Sequence, residues 1–308
     1  MKKQILLLST FFGFFQLVQA QKPDAAVALV HYTFSHIRDT TNRANVYTEN
    51  MELLIGKNAS VYRSADKRVH DEKMKQFIAD QAKTGTTNMM NFAGVGGPRG
   101  SSTAFFQFQA EKKLIRQEKI VNLYLLDQVL PVFNWKITAD TASFGSLQCQ
   151  KATTTFKGRN YEAWFCPALP FRSGPWKLNG LPGLILEASD TKKEVIWKFD
   201  GLENANKIAE KSVSVAEADK ESSSKKPGLL GFGAETYSFK TIELPENSIK
   251  TTEKEFARLK ETMKKDPQGF INSALAGSGS RVKITSVTPP TTPVKNIINN
   301  PIELSEKP

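Results

Sequence analysis

The chain has 308 residues, a formal net charge of +11, 40% hydrophobic residues and 24% charged residues. This length accommodates one large domain or two small ones. Basic residues are spread along the chain and it has no nucleic-acid-binding motif. The charge therefore indicates a solvated basic surface and argues against a nucleic-acid-binding protein.

The first 20 residues have the pattern of a secretory signal peptide. Lys2 and Lys3 precede an apolar run from Ile5 to Val18, and small residues at its end fit a cleavage site after Ala20. No later run reaches about 18 consecutive apolar residues, so we expect no transmembrane segment in the mature chain. We predict an exported protein, either periplasmic or secreted, whose mature chain keeps 40 basic and 31 acidic residues and a formal charge of +9.

The mature chain begins with predicted strands and one helix. Apolar, β-favouring residues predict a strand from Ala25 to Ile37 and a hairpin formed by Met51–Ile55 and Ser60–Ser64. Asp66 is a candidate N-cap for a helix that extends to about Lys83. The residues expected on the inner face of this helix are Val69, Met74, Phe77 and Ile78.

A glycine-rich segment follows from Gly85 to Ser102. Gly94 and Gly96 resemble the start of a dinucleotide-binding turn, but Arg99 occupies the position of the third glycine and no predicted strand leads into the segment. We therefore predict a loop near an opening rather than a nucleotide site.

Short strands then lead to a hairpin that contains both cysteines. The predicted strands are Ala104–Phe108, Lys113–Lys119, Leu123–Leu126, Val132–Ile137, Leu147–Phe156 and Arg159–Cys166. The last two are joined by Lys157 and Gly158, and the glycine suits the positive φ of a two-residue hairpin loop.

The register of this hairpin predicts a disulfide bond. If Phe156 faces Arg159, counting back along the two strands places Cys149 opposite Cys166. Their Cα atoms would then be roughly 4.5 Å apart, which a disulfide accepts, and an exported protein meets oxidising conditions. We expect a structural bond rather than a redox site, because the chain has no Cys-x-x-Cys motif. The alternative is two reduced thiols that behave as small apolar groups.

The most regular part of the sequence, from Leu147 to Phe199, has the run Gly180-Leu181-Pro182-Gly183-Leu184-Ile185 at its centre. Pro182 fixes φ and Gly183 accepts a positive φ, so this run predicts a type II turn. We attribute its glycines to the needs of the backbone rather than to the approach of a ligand. Strands are predicted on both sides of the next turn, over Leu184–Ala188 and Glu194–Asp200.

The last third of the chain changes in character. A polar run predicts a mobile insert near residues 205–235 that cannot bury a core, and Thr236–Ile242 is predicted to return to the sheet. Thr252 and Glu255 form a capping box for a helix to about Lys265 with Phe256, Leu259 and Met263 inward, and Asp266-Pro267 starts a further helical segment. The domain prediction is a signal peptide over 1–20, one β-rich domain over 21–288 with a short strand at Arg281–Val287, and an extended tail over 289–308.

Residues capable of catalysis or metal binding form no convincing set. His31 and His36 are an odd number of positions apart and are therefore expected on opposite faces of one strand, and His70 lies on a polar helix. Glu187 and Asp190 are a candidate carboxylate pair for glycoside hydrolysis, although Asp190 also suits a turn. We predict no catalytic, cofactor-binding or metal-binding residue.

The central run also resembles the signature of a known family. Gly180-Leu181-Pro182-Gly183-Leu184-Ile185 is similar to the motif that names the GLPGLI family. The resemblance spans most of the mature chain and extends to Ser60–Ser64, Cys149–Phe156, Gly174–Trp176, Thr252–Asp266 and Asn300–Leu304. Cys166 and the polar insert depart from the family pattern. The resemblance implies an exported protein, found mainly in Bacteroidota, of unknown function and without an established activity, cofactor or catalytic residue.

The predicted fold is mainly β (α+β), with one large, curved antiparallel sheet, or open half-barrel, and one or two helices packed on its concave side. Three functional hypotheses follow. The first is a non-enzymatic envelope protein that binds an apolar ligand or a partner protein in the concavity, favoured by 20 Phe and 4 Trp. The second is an interaction module for an outer-membrane protein through a sheet edge or the tail. The third is a hydrolase.

Overall fold

The structure is a computed structural model that describes residues 23–83, 100–205, 207–208, 237–277 and 297–305. The predicted signal peptide, the glycine-rich segment up to residue 99, most of the polar insert and the predicted strand over residues 281–287 lie outside the described residues. Within the described ranges, no helix has the length and apolar character needed to cross a membrane.

The described residues form thirteen strands and three helices. The strands are β1 (Asp24–His36), β2 (Tyr47–Gly56), β3 (Ala59–Ser64), β4 (Ala104–Phe108), β5 (Lys113–Lys119), β6 (Leu123–Val129), β7 (Lys136–Phe144), β8 (Leu147–Phe156), β9 (Arg159–Cys166), β10 (Leu184–Asp190), β11 (Val195–Asn204), β12 (Thr241–Ile242) and β13 (Ser248–Thr251). The helices are α1 (Ala65–Lys83), α2 (Glu253–Lys265) and α3 (Pro267–Gly277).

All the strands belong to one open sheet. Its order is β13-β6-β5-β4-β3-β2-β1-β11-β10-β9-β8-β7, and β12 pairs with the start of β1. Every neighbouring pair is antiparallel except β13 and β6, which run parallel because the chain crosses the sheet before it forms β13. The predicted mainly β fold with one large open sheet is confirmed. The sheet is mixed rather than wholly antiparallel, and the described residues form three helices rather than one or two.

Side chains alternate between the two faces of the sheet and form a core on each. The larger core lies on what we call the main face, the face of Tyr32, Leu53, Tyr161 and Trp197. The loop from residue 167 to residue 183 folds over this face and contributes its own buried side chains, Trp176, Leu178 and Leu181. The opposite face carries a second core that includes Leu29, Leu54, Phe106 and Ile115.

Helices α1 and α2 are attached to the sheet by charge as well as by apolar contacts. Arg68 of α1 pairs with the fully buried Glu52 of β2 at 3.0 Å. Phe256 of α2 packs on Tyr124 of β6, with ring centroids 5.5 Å apart. Helix α2 begins with the predicted capping box: the backbone N–H of Glu255 donates to Thr252 Oγ1 (3.2 Å), and the backbone N–H of Thr252 donates to the Glu255 carboxylate (3.1 Å).

Helix α1 differs from its prediction at two points. Its N-cap is Ser64, whose Oγ accepts from the N–H of Lys67 at 3.0 Å. The predicted N-cap, Asp66, instead accepts from the backbone and side chain of Asn50 on β2. Of the predicted inner-face residues, Met74 is buried but Val69 is exposed. The prediction failed because contacts with β2, and not the apolar stripe alone, orient the helix.

The predicted strand over Val132–Ile137 is wrong for its first four residues, and only Lys136 and Ile137 belong to a strand. The segment packs through side chains against the loop from residue 167 to residue 183: Trp135 Nε1 donates to Asn179 O (2.8 Å) and Asn179 Nδ2 donates to Pro131 O (3.1 Å). The strand in this region is β7, which begins at Lys136. It was missed because an exposed edge strand of polar residues lacks the apolar alternation by which strands are recognised.

Candidate functional site

The central run adopts a different turn from the predicted one. The positive φ belongs to Gly180 (+92°) and not to Gly183. A Cβ atom at Gly183 would lie 2.3 Å from Cys166 O, so this glycine is required by the close approach of the chain to β9. Leu181, Leu184 and Ile185 are buried and Pro182 is exposed. The run therefore holds the start of β10 against β9.

Trp176, four residues before this run, has an unusual backbone conformation. Its φ is +57°, in the left-handed region that bulky residues rarely adopt. The strain is held by tertiary contacts: the buried Gln107 donates through Nε2 to Trp176 O (3.1 Å), and the indole stacks on Trp197 with centroids 5.7 Å apart and planes 15° apart. Strain of this kind costs about 1–3 kcal/mol and is concentrated at functional sites.

A cavity of about 540 Å³ opens beside Trp176 on the main face. Its floor consists of buried aromatic side chains and one methionine: Phe34, Met51, Tyr62, Phe105, Trp176 and Trp197. Its rim is charged and polar and includes Arg38, Glu49, Arg116, Glu118, Lys177, Glu253 and Glu303. Ligand pockets commonly have volumes of about 300–1,000 Å³. This cavity lies within that range and combines an apolar floor with a largely charged and polar rim.

Most of the rim charges are paired with each other. Arg116 Nη2 lies 2.7 Å from Glu253 Oε2, and its Nε lies 3.4 Å from Glu118 Oε1. Lys177 forms an ion pair with Glu303, and its ammonium group lies 5.4 Å from the centre of the Trp176 ring system. These pairs neutralise two of the three cations that line the cavity.

Glu49 and Arg38 are held differently, and each contacts Tyr47. The Tyr47 hydroxyl donates to Glu49 Oε2, and the backbone N–H of Ser101 donates to Glu49 Oε1. Burial, together with the hydrogen bond to Glu49, raises the pKa of Tyr47 to about 12. The Arg38 guanidinium carbon lies 3.3 Å from the centre of the Tyr47 ring. Both side chains thus have fixed positions at the rim.

One wall of the cavity comes from residues near the end of the chain. Asn299–Leu304, which we call the strap, crosses the main face and places Ile302 and Glu303 in the cavity wall. The backbone N–H groups of Asn299 and Asn300 donate to Arg38 O at 3.1 and 3.0 Å, and the N–H of Leu304 donates to Lys157 O at 3.0 Å.

A buried cluster fastens the strap to the sheet. Arg159 is 3% exposed and donates to Asn300 Oδ1 (2.6 Å), Pro301 O (2.7 Å) and Ile302 O (2.8 Å). Its other contacts are with Asp190 Oδ2 at 2.8 Å and Glu194 Oε2 at 3.4 Å. The guanidinium group therefore joins β9 to three consecutive residues of the strap.

Two neighbours complete the Arg159 cluster. Asn300 Nδ2 donates to Glu194 Oε2 (3.1 Å), and His36 Nε2 lies 2.7 Å from Asn300 O, where it acts as the donor. Burial lowers the pKa of His36, and the nearby positive charges of Arg38 and Arg159 add to this effect. Burial opposes the ionisation of Glu194, but hydrogen bonds from Arg43, Arg159 and Asn300 outweigh it and lower its pKa.

Cys149 and Cys166 lie together on the face of β8 and β9 that points away from Arg159. The observed pair Gln150–Phe165 continues to Cys149 and Cys166, as the predicted register requires. Both are buried, and the structure holds them as free thiols. Burial and the neighbouring Cys166 thiol raise the pKa of Cys149 to about 12. The disulfide stays a prediction.

The other candidate residues do not converge on one site. Glu187 lies near Cys149, whereas Asp190 points to the other face of β10 and binds Arg159, so the two carboxylates do not face a common space. His31 pairs with Glu203 and His36 binds the strap, on opposite faces of β1 as predicted. Within the described part of the chain, no three His, Cys, Asp or Glu residues could hold a metal ion.

Sequence reasoning missed the residues that build the site. Arg159 was recognised only as the first residue of a strand, and Arg38 was not singled out. The available signals were weak: a charged residue at a strand start, and an Asn-Pro sequence in the tail at residues 300 and 301. The family resemblance did include both this tail sequence and Trp176.

Comparisons with known proteins give little functional information. A family described as "Protein of unknown function (Porph_ging)" matches residues 155–187, the segment from the end of β8 to β10. No curated protein matches the chain. Two solved structures of PNGF-II, in space groups P21 and C2, match with a TM-score of 0.43 and identities of 9% and 10%, over 76% of this chain. The chain spans about a third of the length of those structures, at 33% and 32%.

Proposed function

We propose that this chain is an exported, non-enzymatic envelope protein that holds an apolar or amphipathic ligand in the cavity on the main face. The observation that carries the proposal is the aromatic floor, where Trp176 is kept in a strained backbone conformation beside about 540 Å³ of open space. A chain selected only for stability gains nothing from a strained tryptophan next to an unfilled volume.

The energetics of such a site favour an apolar body. Each buried methylene group contributes about 0.8 kcal/mol, so about ten of them provide up to about 8 kcal/mol before the cost of association. The floor is already assembled by stacking, since Phe34, Trp197 and Trp176 lie in a row with centroid separations of 5.5 and 5.7 Å. Little ordering of these side chains is therefore needed when a ligand enters.

A second function is favoured by the exposed edge of the sheet. Strand β7 has one strand neighbour in the described part of the chain, β8, and most of its residues are exposed, so its outer edge suits strand addition by an outer-membrane or other envelope protein. Against this, the register of β7 shifts between Ile137 and Thr141, and such bulges hinder edge pairing. Crosslinking in intact cells that recovers no envelope partner would exclude this function.

Native mass spectrometry of the protein purified from its own envelope tests the ligand proposal. We expect a co-purifying small molecule with the wild type, and its loss when Thr103→Trp fills the cavity wall. Thr155→Trp, at an exposed position of β8 away from the cavity, is the matched control and should keep the ligand. A bare wild-type monomer, or the same ligand on Thr103→Trp, would refute the proposal. N-terminal sequencing that finds Gln21 first would support export and the predicted cleavage.

A further inference from the structure

The charges around the cavity differ in whether they are already satisfied. Arg116 is paired with Glu118 and Glu253, and Lys177 is paired with Glu303. Arg38 forms no ion pair with any residue that the structure describes; its guanidinium group lies on the ring of Tyr47. Among the cavity cations in the described ranges, Arg38 alone keeps its charge available to a ligand.

The carboxylates of the rim are less available to a ligand than Arg38. Glu118, Glu253 and Glu303 each have a cationic partner. Glu49 has no cationic partner among the described residues, but each of its two oxygens accepts a hydrogen bond, from the Tyr47 hydroxyl and from the Ser101 N–H. Both oxygens of Glu49 are thus already engaged by donors of the protein, whereas Arg38 has no ion-pair partner among the described residues.

Arg38 is also held in a position that suits recognition. Its backbone carbonyl accepts two hydrogen bonds from the strap, and its guanidinium carbon lies 3.3 Å from the centre of the Tyr47 ring. A guanidinium group held against an aromatic ring can still bind a carboxylate through two parallel hydrogen bonds. Phe34, which belongs to the apolar floor, lies near the end of β1, and Arg38 follows two residues after that strand ends.

We propose that Arg38 receives the anionic head of a single-chain amphiphile, such as a fatty acid, whose hydrocarbon chain lies on the aromatic floor. This inference rests on the proposed ligand-binding function and adds the chemical class of the ligand. The carboxylate binds at the edge of the guanidinium group, and the chain extends past Phe34 towards Trp197 and Trp176. The ion pair of Lys177 and Glu303 forms another part of the cavity rim.

The test compares three probes of equal chain length, each kept below its critical micelle concentration: dodecanoate, dodecanol and dodecyltrimethylammonium. Binding to the full-length protein is followed through tryptophan fluorescence, since Trp176 and Trp197 form part of the floor. We expect dodecanoate to bind roughly tenfold to a hundredfold more tightly than dodecanol, as hydrogen bonds to a charged group require, and dodecyltrimethylammonium to bind most weakly.

Variants distinguish the contribution of the head group to binding from that of the hydrocarbon chain. Arg38→Met should abolish the advantage of dodecanoate over dodecanol and leave dodecanol binding unchanged. Arg258→Met, which removes the same charge from an exposed position on α2, is the matched control and should behave as the wild type. Equal binding of the three probes to the wild type, or an equal effect of both variants, would overturn the inference while the cavity function survives. Failure of all three probes to bind would overturn the inference together with the cavity function.

Discussion

Replacement of Arg159 by methionine is the sharpest test of how the strap is held. The guanidinium group makes five polar contacts in a site where Arg159 and Asp190 are only 3% and 2% exposed. Methionine keeps much of the side-chain volume and removes all five contacts. The variant leaves Asp190 buried, with its remaining hydrogen bonds from the N–H groups of Glu194 (2.7 Å) and Val195 (3.0 Å).

The expected magnitude follows from the charge that is left behind. Removing one partner of a buried ion pair costs about 3–5 kcal/mol, because the other charge stays desolvated. The three acceptors on the strap add little to this figure, since the strap can move into water and satisfy them there. We therefore expect Arg159→Met to lower the free energy of unfolding by about 3–5 kcal/mol, a large fraction of the 5–15 kcal/mol that is typical of proteins.

Two measurements check this expectation. Urea unfolding gives the loss of stability from the midpoint at constant m value. Hydrogen exchange reports on the strap through the protected amides of Asn299, Asn300 and Leu304. Arg43→Met is the matched control: it also removes a partner of Glu194, but the Arg43 side chain is 51% exposed, so the cost should stay below about 1 kcal/mol.

A double substitution identifies the cause of the loss. Arg159→Met combined with Asp190→Asn removes the uncompensated charge and should recover part of the stability, while the strap amides stay unprotected. The reasoning is refuted if Arg159→Met costs no more than Arg43→Met, or if the strap keeps its protection in Arg159→Met. In either case the guanidinium group would not be what fastens the strap.

Three further predictions concern other parts of the structure. Trp176→Gly should be about 1 kcal/mol more stable than Trp176→Ala, since the φ of +57° favours glycine; equal urea midpoints would contradict this. Cys149 and Cys166 should form a disulfide after export, each losing one hydrogen as two electrons pass to the disulfide of an oxidant protein; alkylation of both thiols in denatured, unreduced protein would show otherwise. Burial keeps the pKa of His36 below its ordinary value of 6.5, so unfolded chains bind more protons than folded ones just below that pH. The stabilising contribution of neutral His36 should therefore be fully present above about pH 6.5 and should decrease as the pH falls below that value. If a His36→Gln variant shows the same dependence of stability on pH as the wild type, this prediction is refuted.

Much of the fold could be predicted because its signals are local. The β8–β9 hairpin was predicted with its observed boundaries, since Lys157 and Gly158 adopt the positive φ values (45° and 70°) that a two-residue loop requires. The start of α2 was predicted for the same reason: a capping box involves residues three apart and needs no tertiary contact. Each of these elements is specified by residues within a few positions of one another.

The site could not be predicted in this way, because its contacts join distant residues. Arg159 contacts Asp190, which is 31 positions away in the sequence, and Asn300, which is 141 positions away. No local sequence pattern encodes such pairs. Gly183 shows how a local signal misleads. Its Pro-Gly dipeptide is typical of a type II turn, yet the glycine is needed because Cys166 O lies where a Cβ would be. Packing between β9 and β10, and not the dipeptide, decides the conformation.

The Arg159 cluster and the cavity are best understood together. If the cluster served stability alone, a well-packed apolar replacement would do as well, since buried ion pairs are often neutral or costly relative to hydrophobic contacts. Apolar packing, however, does not fix three consecutive strap residues in one register, whereas a planar group that donates to Asn300, Pro301 and Ile302 does. That register sets the position of Ile302 in the cavity wall, and the strap amides fix the backbone of Arg38. We infer that the polar cluster is retained because it shapes the cavity, and the ligand-binding proposal requires the strap and Arg38 to be positioned together.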